Sequence, residues 1–382
     1  MKIEISRTCR LSTYFDGNFR ILFAAAACED SPSRVNSDSV MASRAKKAKQ
    51  SEQPWETDYR IPKDMIPHHY DLYLYPDFLE NAVFSGKVTI HIETTAPRDF
   101  FLAHIKYMTV TKSELKTEGG FNIPLLEAFE YPENEFWVVR PQAEVPVGNY
   151  TLYLEFNGLL DNGILGFYKS VYVDENGQNR AIATSKFQPT YARRAFPCFD
   201  EPSFKSTYTT TLVRPSQGYI ALSNMIEENA VADAPSSGLT EVTFGKSVPM
   251  VTYLAVFIVC DFQYIESNTP VYNIPFRVYG TSQQKDRLNY SLEVGRHITD
   301  YYQDYFDVPY PLPKLHMAAI PDYSSGATEH WGMITFRETN LIFDEMESSS
   351  SNQQRVADVI AHELAHQWFG NLMTVEWWND LW

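Results

Sequence analysis

From Tyr59 onward, for about 200 residues, apolar and polar side chains alternate one by one, and this period of two limits the fold more than any other feature of the chain. Successive side chains of a strand point to opposite faces, so such alternation marks strands with one face buried. The segments YDLYLYP (Tyr70–Pro76), KVTIHIE (Lys87–Glu93), FWVVR (Phe136–Arg140) and YTLYLEF (Tyr150–Phe156) read this way. STYTTTLV (Ser206–Val213) and VTYLAVFIV (Val251–Val259) continue the series. Turn signals at Ser85-Gly86, Val147-Gly148 and Asn176-Gly177 separate them. With no convincing helix between the strands, an antiparallel all-β domain is predicted. No period of 20 to 50 residues recurs, which excludes a repeat array.

After FRVYG (Phe276–Gly280) the period changes. Leu288, Leu292, Gly295, Ile298, Tyr302 and Tyr305 fall at steps of three and four, which predicts a helix, with the tyrosine-rich Tyr301–Phe306 as a core face. YPLPK (Tyr310–Lys314) ends it. Strands are then predicted at Leu315–Pro321 and Trp331–Phe343, and a last helix from about Asn352 to Phe369. Ser351 and Gln354 have capping-box spacing at its start, and Gly370-Asn371 supplies a stop. The predicted architecture is multidomain: an all-β antiparallel domain, then a mixed α/β domain.

Residues 30–55 are polar and without apolar period, and read as a disordered leader or stalk. The basic cluster Arg44, Lys46, Lys47, Lys49 reads as a solvated run. Ile21–Cys28 is apolar for only eight residues, too short to span a membrane and poorly flanked for a signal peptide. The expected division is therefore 1–58 leader, 59–267 β domain and 268–382 α/β domain. A net charge of −16 disfavours nucleic acid, and four cysteines without CxxC spacing argue against a disulfide scaffold or thiolate cluster. The sequons at Asn149 and Asn289 add little, because such triplets arise by chance.

The last predicted helix contains His362, Glu363 and His366, an H-E-x-x-H run. Positions i and i+4 lie on one helix face, so the two imidazoles can address one ion. Zinc suits neutral imidazole nitrogen and takes three protein ligands plus water in a catalytic site. Glu363, one step round the helix, would flank the attacking water and act as general base. The plain alternative, two chance histidines and a glutamate, is weakened by the apolar opposite face of Val356, Val359, Ile360 and Leu364.

VIAHELAHQWFGNLMTVEWWNDLW (Val359–Trp382) resembles the zinc helix and following segment of the gluzincin aminopeptidases. GATEH (Gly326–His330), followed by WGMITFRET, resembles their G-x-M-E-N exopeptidase motif. FQPTYARRAFPCFDEPSFKSTY (Phe187–Tyr208) and IPHHYDLYLYPD (Ile66–Asp77) resemble motifs of their β domain. The similarity runs from about Tyr59 to Trp382, with three motifs in the family's order. It implies a thermolysin-like catalytic domain, one zinc ion per chain in the full-length protein, and removal of the N-terminal residue from peptides with a free N-terminus. His362 and His366 would ligate zinc and Glu363 would be the base. Glu329 and Gln188 would bind the substrate's α-amine. Gly326 and Ala327 would present backbone to the peptide, with Thr328 and His330 beside them. A plasma-membrane, outward-facing placement and a possible homodimer are also implied, with a cytoplasmic placement as the alternative.

Three departures stand out. Thr328 replaces the family's usual Met, which should alter packing or first-residue preference. His330 replaces Asn with a wider, ionisable group. Lys186 replaces the more usual Gln two residues before Gln188. In the family the third zinc ligand is a glutamate eighteen residues after the second His, which would fall three residues beyond Trp382, and the oxyanion-stabilising tyrosine lies further on. The chain itself is therefore expected to be incomplete at its C-terminus and to lack full activity. Two other readings are a non-catalytic peptide-binding or regulatory form and an endopeptidase, against which the GATEH glutamate argues. Arg193, Arg194, Asp200 and Glu201 read as a structural ion network, and Cys198 as a buried thiol.

Overall fold

The computed structural model describes residues 53–381, and of the earlier residues only the backbone of two paired strands, Thr13–Phe15 and Ile21–Phe23. The basic cluster, most of the expected leader and the side chains of Ile21–Cys28 lie outside the described residues. The last part of the expected leader is folded: Pro54–Thr57 form a helical turn, and Trp55, 4% exposed, meets Phe100 and Phe129 edge-on. Proline pre-sets the first helical turn, but one indole creates no periodicity, so the sequence pattern misses this anchor.

The alternating segments build one eight-stranded sheet. Its spatial order is Glu227–Ala232, Leu239–Phe244, Thr207–Pro215, Met65–Asp77, Val83–Thr94, Gly148–Leu159, Met108–Thr117 and Asn122–Ile123. Strand Met65–Asp77 shows the cause of this order in its burial: Tyr70, Leu72 and Leu74 are buried, while Asp71 is exposed. The sheet is not wholly antiparallel, because Thr207–Pro215 runs parallel to Met65–Asp77. Two smaller antiparallel sheets complete this part: Phe101–His104 with Phe136–Pro141 and Leu125–Tyr131, and Gly166–Val173 with Asn179–Lys186, Phe257–Cys260 and Ile220–Ser223. The predicted strand Val251–Val259 is corrected. Thr252–Leu254 form a 3-10 turn, with Thr252 donating to Asp200 Oδ1 at 2.7 Å, and the strand starts at Phe257. Its whole run is buried, and an apolar run alone cannot separate strand from buried turn.

Between the sheets lies an aromatic core. Phe196 touches Tyr70, Phe187 and Phe257 at ring-centroid distances of 6.2, 6.2 and 5.9 Å and is fully buried. Phe196→Ala is expected to lower unfolding free energy by about 3–5 kcal/mol, seen as a fall in the urea midpoint. A shift of well under 1 kcal/mol would mean that the rings do not pack as described.

The expected ion network is partly there. Arg193 pairs with Asp200 at 2.9 Å and with Glu135 at 2.8 Å, while Glu201 pairs with Arg60 and accepts the Ile61 N–H. Arg194 is outside it and lies over the rings of Tyr191 and Tyr107. Cys198 is buried, and burial pushes its thiol well above the ordinary range, so it is held as a thiol.

The second part is a mixed five-stranded sheet, in order Gln263–Asn268, Pro275–Gly280, Leu315–Ile320, Met333–Arg337 and Ala327–Thr328. Its central pairings are parallel, and helices Asn289–Phe306 and Ser350–Ala365 pack with it. The predicted strand Trp331–Phe343 is shorter, ending at Arg337 in a 3-10 turn, Glu338–Asn340. Of the tyrosine-rich face Tyr302 is core and Phe306 packs against it, whereas Tyr301 is 41% exposed and Tyr305, which falls on the predicted stripe, is 59% exposed at the end of the helix. Among the described residues no helix is long and apolar enough to cross a membrane.

Candidate metal centre and amine site

The helix bearing the H-E-x-x-H run spans Ser350–Ala365. Its cap is Ser349, whose hydroxyl accepts the Asn352 N–H at 3.2 Å, in place of the predicted Ser351–Gln354 box. It also ends four residues earlier than predicted. His366 nevertheless keeps helical backbone at φ −60° and ψ −23°, so its relation to His362 holds. Val356, Ile360 and Leu364 are fully buried and fix the opposite face against the rest of the domain.

The two imidazoles converge, with Nε2 atoms 3.0 Å apart and rings edge to face. His366 Nδ1 lies 2.8 Å from the Phe369 carbonyl oxygen, so Nδ1 carries the proton and donates, leaving a lone pair on Nε2. Two nitrogens bound to one tetrahedral zinc ion sit about 3.3 Å apart, close to this gap. Glu363 is 6% exposed, and its Oε2 has no hydrogen-bond partner. Burial, reinforced by the charge of Glu329, pushes its pKa well up, with Lys186 opposing. The two convergent imidazole nitrogens are donors of the type and spacing that zinc takes, with the Glu363 carboxyl next to them on the helix as a free proton acceptor. Among the described residues no group of three or more His, Cys, Asp or Glu side chains is placed to hold a metal ion.

The second cluster joins the two parts of the molecule. Glu329 follows the edge strand Ala327–Thr328 and is 4% exposed. Its Oε1 accepts a 3.0 Å hydrogen bond from Gln188 Nε2, which lies just beyond the β-domain strand Asn179–Lys186. Lys186, 5% exposed, donates to Gln188 Oε1 at 3.3 Å. Burial lowers its pKa, against the raising charges of Glu329 and Glu363.

Gly326 and Ala327 are half-buried at the sheet edge. A side chain at Gly326 would meet Asn340 Nδ2 at 3.0 Å, and that amide donates to the Gly326 carbonyl at 2.9 Å, so a larger residue here would have to push the Asn340 amide aside. Thr328 and His330 are not brought to the surface with the others. Thr328 is fully buried and accepts the Tyr323 hydroxyl at 2.6 Å. His330 is fully buried, with Nδ1 3.1 Å from Thr335 Oγ1. The expected ionisable imidazole is corrected: burial, and then the charge of Lys186, hold His330 well below its ordinary pKa and neutral.

Gln367 and Asn371 escaped the sequence reading, where Asn371 was only a helix stop. Both donate to the main-chain oxygen of Glu329, at 3.2 and 2.7 Å. No spacing rule signals an amide aimed at a carbonyl about 40 residues upstream in sequence.

Comparison with known proteins agrees with this geometry. The Peptidase M1 N-terminal domain family matches residues 66–254, and the Peptidase family M1 domain matches residues 290–382. Glutamyl aminopeptidase of Homo sapiens is 43% identical over 334 residues, covering 85% of this chain and 34% of the relative. That of Sus scrofa is 44% identical over 332 residues, covering 85% and 34%. Endoplasmic reticulum aminopeptidase 2 of Homo sapiens is 40% identical over 334 residues, covering 86% and 34%. The chain thus spans about a third of the length of these relatives. Two domain matches in family order, over a β domain and an α/β part that meet at Gln188 and Glu329, show that the chain belongs to the M1 family of gluzincin aminopeptidases.

Proposed function

We propose that the chain carries two zinc ligands, the general base and the amine anchor of a metalloaminopeptidase. The observation that carries this reading is the junction: His362, Glu363 and His366 on one helix, and the bond from half-buried Gln188 to buried Glu329 that tethers the edge strand to the β domain. Bound zinc would supply Lewis-acid polarisation of the scissile carbonyl and activation of the attacking water. His362 and His366 would hold it, and a third protein ligand is proposed from residues following Trp382, as the family spacing implies. Glu363 takes the proton of the attacking water and passes it to the leaving amine. Glu329 and Gln188 bind the α-ammonium of the substrate, a charge-assisted contact that makes cleavage count from the N-terminus. The edge strand Ala327–Thr328 offers main-chain groups to an extended peptide.

The test compares this chain with a form continued through the next acidic residues. Zinc per chain is measured by mass spectrometry, and activity by release of nitroaniline from aminoacyl anilides. Near-stoichiometric zinc and turnover are expected in the continued form, and weak zinc retention in the 382-residue chain, whose described donors are two imidazoles. No turnover in the continued form on any aminoacyl substrate would sink the enzyme reading. A second reading, a non-catalytic peptide-binding form, is favoured by one feature: the amine anchor is built without any metal-dependent contact. Binding of a free-amine peptide to the metal-stripped chain, with no binding of its acetylated twin, would support it.

Lys186 is the residue in the anchor through which preference for the first side chain can be read. A buried ammonium with one 3.3 Å partner is poorly satisfied and favours an acidic side chain on the first residue, in line with the name glutamyl aminopeptidase that two of the relatives carry. Lys186→Gln is expected to cut the kcat/KM ratio of glutamyl over alanyl substrates by about tenfold. An unchanged ratio would remove Lys186 from specificity.

A further inference from the structure

Three polar side chains near the two clusters have no part in the chemistry above, and each is aimed at a main-chain oxygen. Asn371 Nδ2 donates to Glu329 O at 2.7 Å, and Gln367 Nε2 donates to the same atom at 3.2 Å and to Glu363 O at 3.1 Å. Asn371 is fully buried and Gln367 is 1% exposed. Lys205, at the start of the β-domain strand Thr207–Pro215, donates to Asn371 O at 2.9 Å and to Leu372 O at 2.8 Å.

The amide orientations are fixed by chemistry. A carbonyl oxygen only accepts, so the NH2 group of each side chain must face Glu329. The outward oxygens, Asn371 Oδ1 and Gln367 Oε1, are buried with no hydrogen-bond partner. Buried amides satisfied on one side only are costly to keep, and an apolar side chain of similar size would avoid that cost. What the amides do supply is a connection. The Glu329 carbonyl, the segment after the metal helix and the β domain are joined through Asn371 and Lys205, and the Glu329 carboxylate returns to the β domain through Gln188.

We propose that Asn371 and Gln367 are positioning residues that lock the main chain of Glu329, the residue bearing the amine-anchor carboxylate, to the helix carrying His362 and His366 and the segment after it, with Lys205 holding Asn371 in place from the β domain. The distance between amine anchor and metal helix decides which peptide bond meets the base. The clamp is therefore a ruler for removal of a single residue, and its consequence for catalysis rests on the aminopeptidase reading.

Two measurements separate this proposal from that reading. Hydrogen exchange followed by mass spectrometry needs no activity. In Asn371→Ala and Lys205→Met, exchange across residues 326–330 is expected to quicken by about tenfold or more, while residues 350–365 stay protected. Lys205→Arg, which keeps donors for both carbonyls, is expected to restore protection. Steady-state kinetics on the longest native form of the protein reads the consequence. Asn371→Asp places a carboxylate against the Glu329 carbonyl and is expected to raise KM for free-amine substrates by about tenfold or more, with zinc content unchanged and discrimination against acetylated peptides reduced. Unchanged exchange in both loosening variants overturns the clamp, whatever the enzyme does. Quickened exchange with unaltered KM and amine discrimination overturns its role as a ruler. A wild-type protein without aminopeptidase activity overturns the enzymatic reading and leaves exchange to decide the clamp.

Discussion

In the continued form, Glu363→Gln is expected to lower the rate of peptide hydrolysis by roughly 10²–10⁴-fold with zinc still bound. The substitution keeps the size and hydrogen-bonding reach of the side chain but removes its ability to take a proton. It leaves both imidazoles and the Nδ1 contact of His366 untouched, so the metal donors survive. The fold should not suffer either. Burial and the charge of Glu329 already disfavour the Glu363 carboxylate, and its Oε2 has no partner to lose. A neutral amide at this place is expected to leave the thermal midpoint unchanged or raise it. Rate, zinc content and melting temperature together separate the roles. A large rate loss with zinc retained identifies the base; zinc lost in proportion to activity would make Glu363 a ligand or a structural support; an unchanged rate would exclude it from the chemistry.

Much of this arrangement was legible in the sequence because its signals are local. His362, Glu363 and His366 are tied by helical periodicity, and Ala365 or His366 as the helix end makes no difference to the i,i+4 geometry. Strands such as Met65–Asp77 were legible because one face is buried and one is wet. Long-range facts left no such trace. The parallel pairing of Thr207–Pro215 with Met65–Asp77 unites segments about 140 residues apart, and neither carries a mark of its partner's direction. Trp55 anchors a turn through two ring contacts, which no period reports. At Thr328 and His330 the motif could not show burial, because Tyr323 and Thr335 take their polar atoms through packing that no spacing reports. Sequence spacing thus tied His362 to His366, while the supports of Glu329 emerged only from packing.

Glu329→Ala is expected to separate amine recognition from bond cleavage. The carboxylate is 4% exposed and bonded to Gln188, so a substrate ammonium meeting it is largely desolvated. Removing one partner of such a pair leaves the other unpaired at a cost of about 2–5 kcal/mol, which is roughly 30- to 4,000-fold in kcat/KM for free-amine peptides. The same change should leave the clamp intact, since Gln367 and Asn371 hold the main-chain oxygen of residue 329 and do not touch its side chain. Acetylated peptides, which carry no ammonium, are then the control. Their slow cleavage should be unchanged or slightly faster, so the ratio of free to acetylated rates collapses toward one. Glu329→Asp withdraws the charge by one methylene and is expected to fall between the two, with KM rising more than kcat falls. If free and acetylated peptides lose rate equally in Glu329→Ala, the residue supports the metal helix and does not recognise the amine.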